Sequence, residues 1–77
     1  MTGERELTLG ERRVGVDFNP SGDPAIADIK RRAAGLLDAV VALPAPDGEA
    51  ARVRAVAMTE IEGAAMWAVK AAARAAG

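Results

Sequence analysis

The 77-residue chain contains no cysteine, no histidine and no tyrosine. The missing cysteines exclude disulfide frameworks, thiol catalysis and zinc fingers, and the missing histidines exclude imidazole acid–base chemistry. One serine, Ser21, and three threonines remain as hydroxyl groups, with no histidine to activate them. No acidic loop has the ligand spacing of a Mg²⁺ or Ca²⁺ site. We therefore expect a protein that is not an enzyme and that uses no metal or other cofactor.

The chain also lacks a strong excess of either charge. Ten lysines and arginines stand against 11 aspartates and glutamates, which gives a net charge of −1. Such a balance provides no general positive field for nucleic-acid polymers. We find no long uninterrupted apolar run and no signal peptide. The sequence predicts a soluble intracellular protein that binds neither a membrane nor DNA or RNA polymers.

The N-terminal part has a weak pattern. Residues 1–13 are predicted to be flexible. The alternation of Val14, Val16 and Phe18 predicts a short extended arm or edge strand, and the turn residues 19–22 (NPSG) follow it. Residues 14–22 are therefore predicted to form an extended arm and a turn.

A first helix is predicted over residues 24–43. Asp23 is a suitable N-cap, and Pro24 fits the first helical position. Pro44 and Pro46 end the helix. Apolar residues recur at steps of three and four, as in one buried helical stripe: Ile26, Ile29, Ala33, Leu36, Leu37, Val40 and Val41.

A second, alanine-rich helix is predicted over residues 47–75, with Asp47 as its cap. Its opposite side carries Arg52, Thr59, Met66 and Lys70 almost in line, so the helix has more than one side to bury. Its predicted seam against the first helix consists of small residues: Ala50, Val53, Ala57, Ile61, Ala64, Ala68 and Ala72.

Together these elements predict a single all-α domain over residues 1–77. It is an antiparallel two-helix hairpin with a short extended N-terminal arm, assembled into a helical oligomer because one partner helix cannot cover both sides of the second helix.

Three residues allow both a structural and a functional interpretation. Lys30 lies at the apolar edge of the first helix, where its charge either reaches solvent along its stem or meets an anion. Thr59 either bonds back to a carbonyl one turn earlier or contacts a ligand. Trp67 is either packing or a surface for a flat ligand.

Two segments go beyond such patterns. Residues 16–24 (VDFNPSGDP) run into Ile29, Lys30 and residues 33–38 (AAGLLD), and residues 58–70 read MTEIEGAAMWAVK. Together they resemble the helical-hairpin domain of phage sponge proteins that counter the CBASS and Thoeris antiviral systems. The resemblance covers roughly residues 14–76.

The resemblance implies a non-catalytic protein that sequesters cyclic nucleotide messengers in the cytoplasm of the infected bacterial host. The messengers are cyclic dinucleotides, cyclic trinucleotides and cyclised ADP-ribose variants. Such sponges assemble as oligomers, commonly homohexamers, with ligand pockets between protomers. Lys30 matches a ligand-contacting lysine, and Thr59 matches a threonine of the trinucleotide pocket. Arg52, one heptad before Thr59, is predicted to be the arginine that accompanies it. The ligand-binding residues predicted from the sequence are Phe18, Asn19, Lys30, Arg52, Thr59, Trp67 and Lys70.

Other functions remain open from the sequence. A structural or adaptor helical-hairpin oligomer without a nucleotide ligand explains the alanine-rich helices equally well. A nucleic-acid-binding module needs a basic face, but Asp28, Asp38, Glu60 and Glu62 interrupt the positive charges. A hydrolase that acts on cyclic nucleotides would need metal ligands, which this sequence lacks.

Overall fold

The computed structural model describes residues 6–77, which form three helices. Helix α1 spans Leu9–Val14, α2 spans Pro24–Val41 and α3 spans Gly48–Ala75. No strand occurs in this described part of the chain. The predicted all-α hairpin class is confirmed, with α2 and α3 as its arms. Within residues 6–77, no helix combines the length and the apolar character needed to cross a bilayer.

The two arms begin where their capping residues stand. The Asp23 carboxylate accepts a hydrogen bond from the Ala25 N–H at 2.9 Å, and the Asp47 carboxylate accepts one from the Ala50 N–H at 2.8 Å. Each cap satisfies a backbone donor that has no partner within its helix. At the other end of α2, Arg54 Nη1 donates to the Leu43 carbonyl at 2.7 Å and so fastens the connector to α3.

Helix α1 corrects the predictions made for the N-terminal part. Residues 9–13, predicted to be flexible, are helical, because Thr8 and Glu11 form a capping box at the start of the helix. Gly15 ends it with φ 65°, in the left-handed region that glycine favours. The flexibility predicted for residues 1–5 lies outside the described residues.

The extended arm predicted from Val14, Val16 and Phe18 is likewise wrong. The chain turns over residues 15–17 as α1 ends. The Val16 N–H donates to the Glu11 carbonyl at 3.0 Å, and the Phe18 N–H donates to the Gly15 carbonyl at 2.9 Å. These local bonds fold the segment back, so the apolar alternation reflects a helix end and a turn.

Gly10 allows α1 to lie directly against α2. Its N–H donates to Asp38 Oδ1 at 2.8 Å. A Cβ atom at this position would lie 2.2 Å from the Ala34 carbonyl oxygen, so any side chain would force the two helices apart. Because α1 is only six residues long, it depends on tertiary contacts such as this one to stay helical.

In both long helices, the buried residues are displaced by about one position from the stripes predicted from the sequence. In α2, Lys30 and Ala34 are buried beside Ile26 and Leu37, whereas Leu36 is 52% exposed. The reason is α1, which covers the Lys30 and Ala34 side of α2.

The buried face of α3 differs from its predicted seam in the same way. Met58 and Ala65 are its buried residues, while Val53 and Ala64 are exposed. The buried face of α3 therefore carries the larger Met58 side chain as well as a small residue.

Candidate ligand-binding site

The three helices surround a pocket of about 380 Å³, called here the central pocket. Four charged side chains line it: Arg13 from α1, Lys30 from α2, and Glu62 and Lys70 from α3. Three cations against one carboxylate leave an excess of positive charge above an apolar floor. The rest of the lining is apolar and consists of Val14, Ala65, Met66 and Val69.

Lys30 is the most buried of these charges, with 8% of its surface exposed. Its Nζ donates to the Gly15 carbonyl at 3.0 Å and to the Phe18 carbonyl. The Nζ also lies 5.4 Å from the centroid of the Phe18 ring. An ammonium has three N–H donors, so two of them hold the turn after α1 and one is left for a further acceptor. Lys30 therefore shapes the pocket, and its predicted role as a ligand contact stays a prediction.

Arg13 and Glu62 join α1 to α3 across the central pocket. Arg13 Nη1 donates to Glu62 Oε2 at 3.1 Å. The two side chains are 43% and 35% exposed, so solvent reaches the pair. Neither residue is among the site residues predicted from the sequence. The signal that would have found Arg13 is the T-x-x-E capping box at Thr8 and Glu11, which marks the start of α1.

Lys70 and Trp67 form an exposed rim beside the pocket. Lys70 Nζ lies 4.9 Å from the centroid of the Trp67 ring, within cation–π range. Trp67 and Met66 are 70% and 73% exposed, so most of their apolar surface has no partner within one chain. An exposed flat ring beside a cation is the kind of surface on which a nucleobase can stack.

Phe18 and Asn19 line a second pocket of about 320 Å³, and Lys30 and Val69 line both pockets. The Phe18 ring is exposed. Asn19 Nδ2 donates to the Asp23 carbonyl at 2.9 Å, which fixes the loop before α2. Four of the predicted site residues therefore line one or both pockets: Phe18, Asn19, Lys30 and Lys70. Trp67 lines neither pocket but lies beside Lys70.

Arg52 and Thr59 lie apart from this group. Both are exposed on α3, and neither lines the central or the second pocket. Arg52 forms an ion pair with Glu49 in the first turns of the helix, with N–O distances of 2.8 and 3.1 Å. Within one chain, the structure does not bring these two residues to the central pocket.

An apolar groove runs along the side of the hairpin that α1 leaves uncovered. Its lining includes Ile29, Ala33 and Leu36 of α2, and Ile61, Ala64 and Ala68 of α3. No residue of α1 contributes to it. We call this side the bare face, and the side with the central pocket the α1 face.

Residues 6–77 contain no cluster of three or more aspartate or glutamate side chains able to hold a metal ion. The charged groups of the central pocket are instead suited to a ligand with both anionic and flat apolar parts. Cations bind phosphate oxygens, and apolar or planar side chains accept the bases.

Comparison with known proteins gives one match. The Acb2/Tad1 hairpin domain family matches residues 11–73, which include α1 from Glu11, all of α2 and most of α3. No curated protein and no solved structure matches the chain. The match includes the residues of the central pocket and the two segments that carry the sequence resemblance. The chain therefore belongs to the Acb2/Tad1 hairpin-domain family, the sponges that counter CBASS and Thoeris by binding cyclic nucleotides.

Proposed function

We propose that this protein sequesters cyclic dinucleotides, cyclic trinucleotides or cyclised ADP-ribose variants at the central pocket and releases them chemically unchanged. The observation that carries the proposal is the meeting of Arg13, Lys30 and Lys70 over an apolar floor in a member of this family. Tight binding without turnover requires no nucleophile, and this chain has neither histidine nor cysteine.

The charge and size of the pocket support this class of ligand. A cyclic dinucleotide carries two phosphodiester charges, and the pocket presents more cations than carboxylates. A volume of about 380 Å³ falls within the ordinary range of small-molecule sites. The exposed Trp67 and Phe18 rings, which lie beside the pocket residues Lys70 and Lys30, offer surfaces for the bases.

Assembly into a homohexamer belongs to the same proposal. Leu36 on the bare face and Met66 and Trp67 on the rim are exposed apolar side chains, which self-association would bury. Closed symmetry would also present the same cations several times around a symmetric ligand. We place this activity in the cytoplasm of the infected bacterial host.

A binding panel tests the proposal. The protein is titrated by calorimetry with cyclic di-AMP, cyclic GMP–AMP, cyclic tri-AMP and a cyclised ADP-ribose. Each mixture is then heated, and the nucleotide is recovered by chromatography. We expect at least one nucleotide to bind and to return intact. A linear product would show catalysis, and absence of binding across the panel would favour the adaptor alternative.

Two matched variants locate the site. Lys70→Gln removes a cation of the central pocket, and Arg31→Gln removes one from the exposed side of α2, where it pairs with Asp28. A hydrogen bond to a charged group contributes about 1.5–3 kcal/mol, so Lys70→Gln should weaken binding roughly tenfold or more. Arg31→Gln should leave it nearly unchanged. Light scattering of the parent protein measures the oligomer, and a stable monomer would contradict the hexamer.

A further inference from the structure

The Arg13–Glu62 ion pair differs from the neighbouring ion pairs in what it connects. Arg31 and Arg32 pair with Asp28 inside α2, and Arg52 pairs with Glu49 inside α3. Arg13, in contrast, reaches from α1 to α3, and both members of this pair line the central pocket. The pair therefore lies in the lining of the pocket, where a bound ligand could reach both side chains.

The three cations of the pocket differ in how easily they can exchange partners. Lys30 is buried and holds two backbone carbonyls, so moving it would open the turn after α1. Among residues 6–77, Lys70 is held by the face of the Trp67 ring alone. Arg13 is partly exposed and bound to one carboxylate oxygen, and a pair this accessible to solvent contributes little to stability.

Arginine is also the side chain best suited to a phosphodiester. Its guanidinium presents several N–H donors in a planar fork that matches two oxygens of one phosphate. A carboxylate has the same two-oxygen shape, so Glu62 offers Arg13 what a phosphate would offer. The exchange requires rotation of one side chain and no change of the helices.

We infer that Arg13 is a phosphate-binding residue and that Glu62 is its placeholder, which holds the guanidinium over the pocket until a phosphodiester replaces it. The inference rests on the proposed function. Glu62 then acts against binding in two ways: it competes for Arg13, and its charge repels the phosphate. A phosphodiester can still take Arg13 from Glu62, because it offers the guanidinium a two-oxygen anionic acceptor of the same kind.

The placeholder role makes opposite predictions for the two partners. Arg13→Gln and Glu62→Gln both remove the ion pair while keeping a polar side chain of similar size. A purely structural ion pair would move affinity in the same direction in both variants. Exchange with phosphate changes the affinity in opposite directions: Arg13→Gln binds more weakly and Glu62→Gln binds more tightly.

Calorimetric titration with cyclic di-AMP and cyclic tri-AMP tests this. We expect Arg13→Gln to weaken binding about tenfold or more, as for loss of a charge-assisted hydrogen bond. Glu62→Gln should tighten it roughly threefold to tenfold. The matched controls are Arg12→Gln and Glu60→Gln, which make the same charge changes at exposed neighbours outside the pocket. Both controls should stay within about twofold, because solvent and salt screen them.

Each outcome decides between explanations. Equal affinities for Arg13→Gln and Arg12→Gln would overturn the phosphate role of Arg13. Weaker binding by Glu62→Gln would overturn the placeholder role and would mean that the carboxylate itself helps to hold the ligand or the pocket. If the parent protein binds neither nucleotide nor any other member of the panel, the proposed function fails and this inference fails with it. Parent affinity thus separates the two failures.

Discussion

The α1 face and the bare face of this hairpin are built from adjacent residues of the same two helices. Ile29 lines the apolar groove and Lys30 the central pocket, and the same alternation recurs at Ile61 and Glu62. One residue along a helix is a rotation of about 100°, which is enough to move from one face to the other. The short helix α1 then makes the two faces different, because it covers only one of them.

The difference between the two faces explains how a chain of net charge −1 can still bind an anionic ligand. Cations are gathered on the α1 face, whereas the groove of the bare face has Arg32 as its one charged lining residue. Local charge therefore matters more than total charge. We expect the α1 face to bind the nucleotide and the bare face to contact other copies of the chain.

The largest effect is expected from Lys30→Met, which removes the anchor of the α1 face. The variant keeps the apolar stem but leaves the Gly15 and Phe18 carbonyls without their buried donor. We expect the free energy of unfolding to fall by about 2–3 kcal/mol, as for loss of hydrogen bonds to a charged group. Chemical denaturation measures the change. Lys70→Met is the matched control, and an equal loss there would contradict the structural role of Lys30.

Gly10→Ala should remove the difference between the faces by displacing α1. The new Cβ would lie 2.2 Å from the Ala34 carbonyl oxygen, so α1 must move away from α2 and lose the hydrogen bond to Asp38. Overpacking of this kind costs about 1–3 kcal/mol. Hydrogen exchange should quicken in residues 11–14 while α2 and α3 stay protected.

Gly35→Ala is the control for that experiment. It lies within α2, and an added Cβ would meet no atom within 4 Å. Replacing a mid-helix glycine by alanine should stabilise the protein by about 0.5–1 kcal/mol. Similar destabilisation by the two variants would mean that α1 is not docked as described.

Leu36→Gln tests the bare face, with a smaller effect on the single chain because Leu36 is already 52% exposed. We expect light scattering to show a lower oligomer mass at micromolar concentration, while the helix content by circular dichroism is unchanged. Leu43→Gln removes an equally exposed leucine that lies outside the groove. An equal loss of oligomer mass in both variants would show that the contact between copies does not depend on the groove.

The arms of the hairpin could be predicted because their signals are local. Asp23, Pro24 and Asp47 mark the helix starts, and Pro44 separates the helices. Helix α1 was missed although the Thr8–Glu11 capping box and Gly15 mark its two ends. Its six residues are too few to show an apolar period, so the caps were the only local evidence.

The faces were harder to predict than the helices. A helical wheel places residues around an axis but does not say which direction the partner occupies, and here α1 supplies a second partner for α2. That is why Lys30 and Ala34 are buried and Leu36 is not. The Arg13–Glu62 pair joins residues 49 positions apart, and no spacing rule within a single helix could find it.

Arg52→Gln gives the smallest expected effect on folding, because both side chains of the Arg52–Glu49 pair are exposed to solvent. The Arg52 guanidinium holds the pKa of the Glu49 carboxyl below its usual value. A carboxyl with a lowered folded-state pKa stabilises the protein above its unfolded pKa, and that contribution is lost as the pH falls through the folded pKa. In Arg52→Gln the pKa of Glu49 should rise towards its usual value, as an NMR titration would show. An unchanged Glu49 titration would mean that the pair does not form in solution.

The same variant separates the site within one chain from a site that a second copy completes. Arg52 lies outside the central pocket, so we expect cyclic di-AMP to bind Arg52→Gln as tightly as the parent. Thr59 matches a threonine of the family's trinucleotide pocket, and Arg52 is predicted to accompany it. The two residues are about 10.5 Å apart along α3 at 1.5 Å per residue. Cyclic tri-AMP should therefore bind more weakly to Arg52→Gln, with Arg74→Gln in the last turn of α3 as the charge-matched control. Unchanged affinity for both nucleotides would show that Arg52 is not a ligand-binding residue.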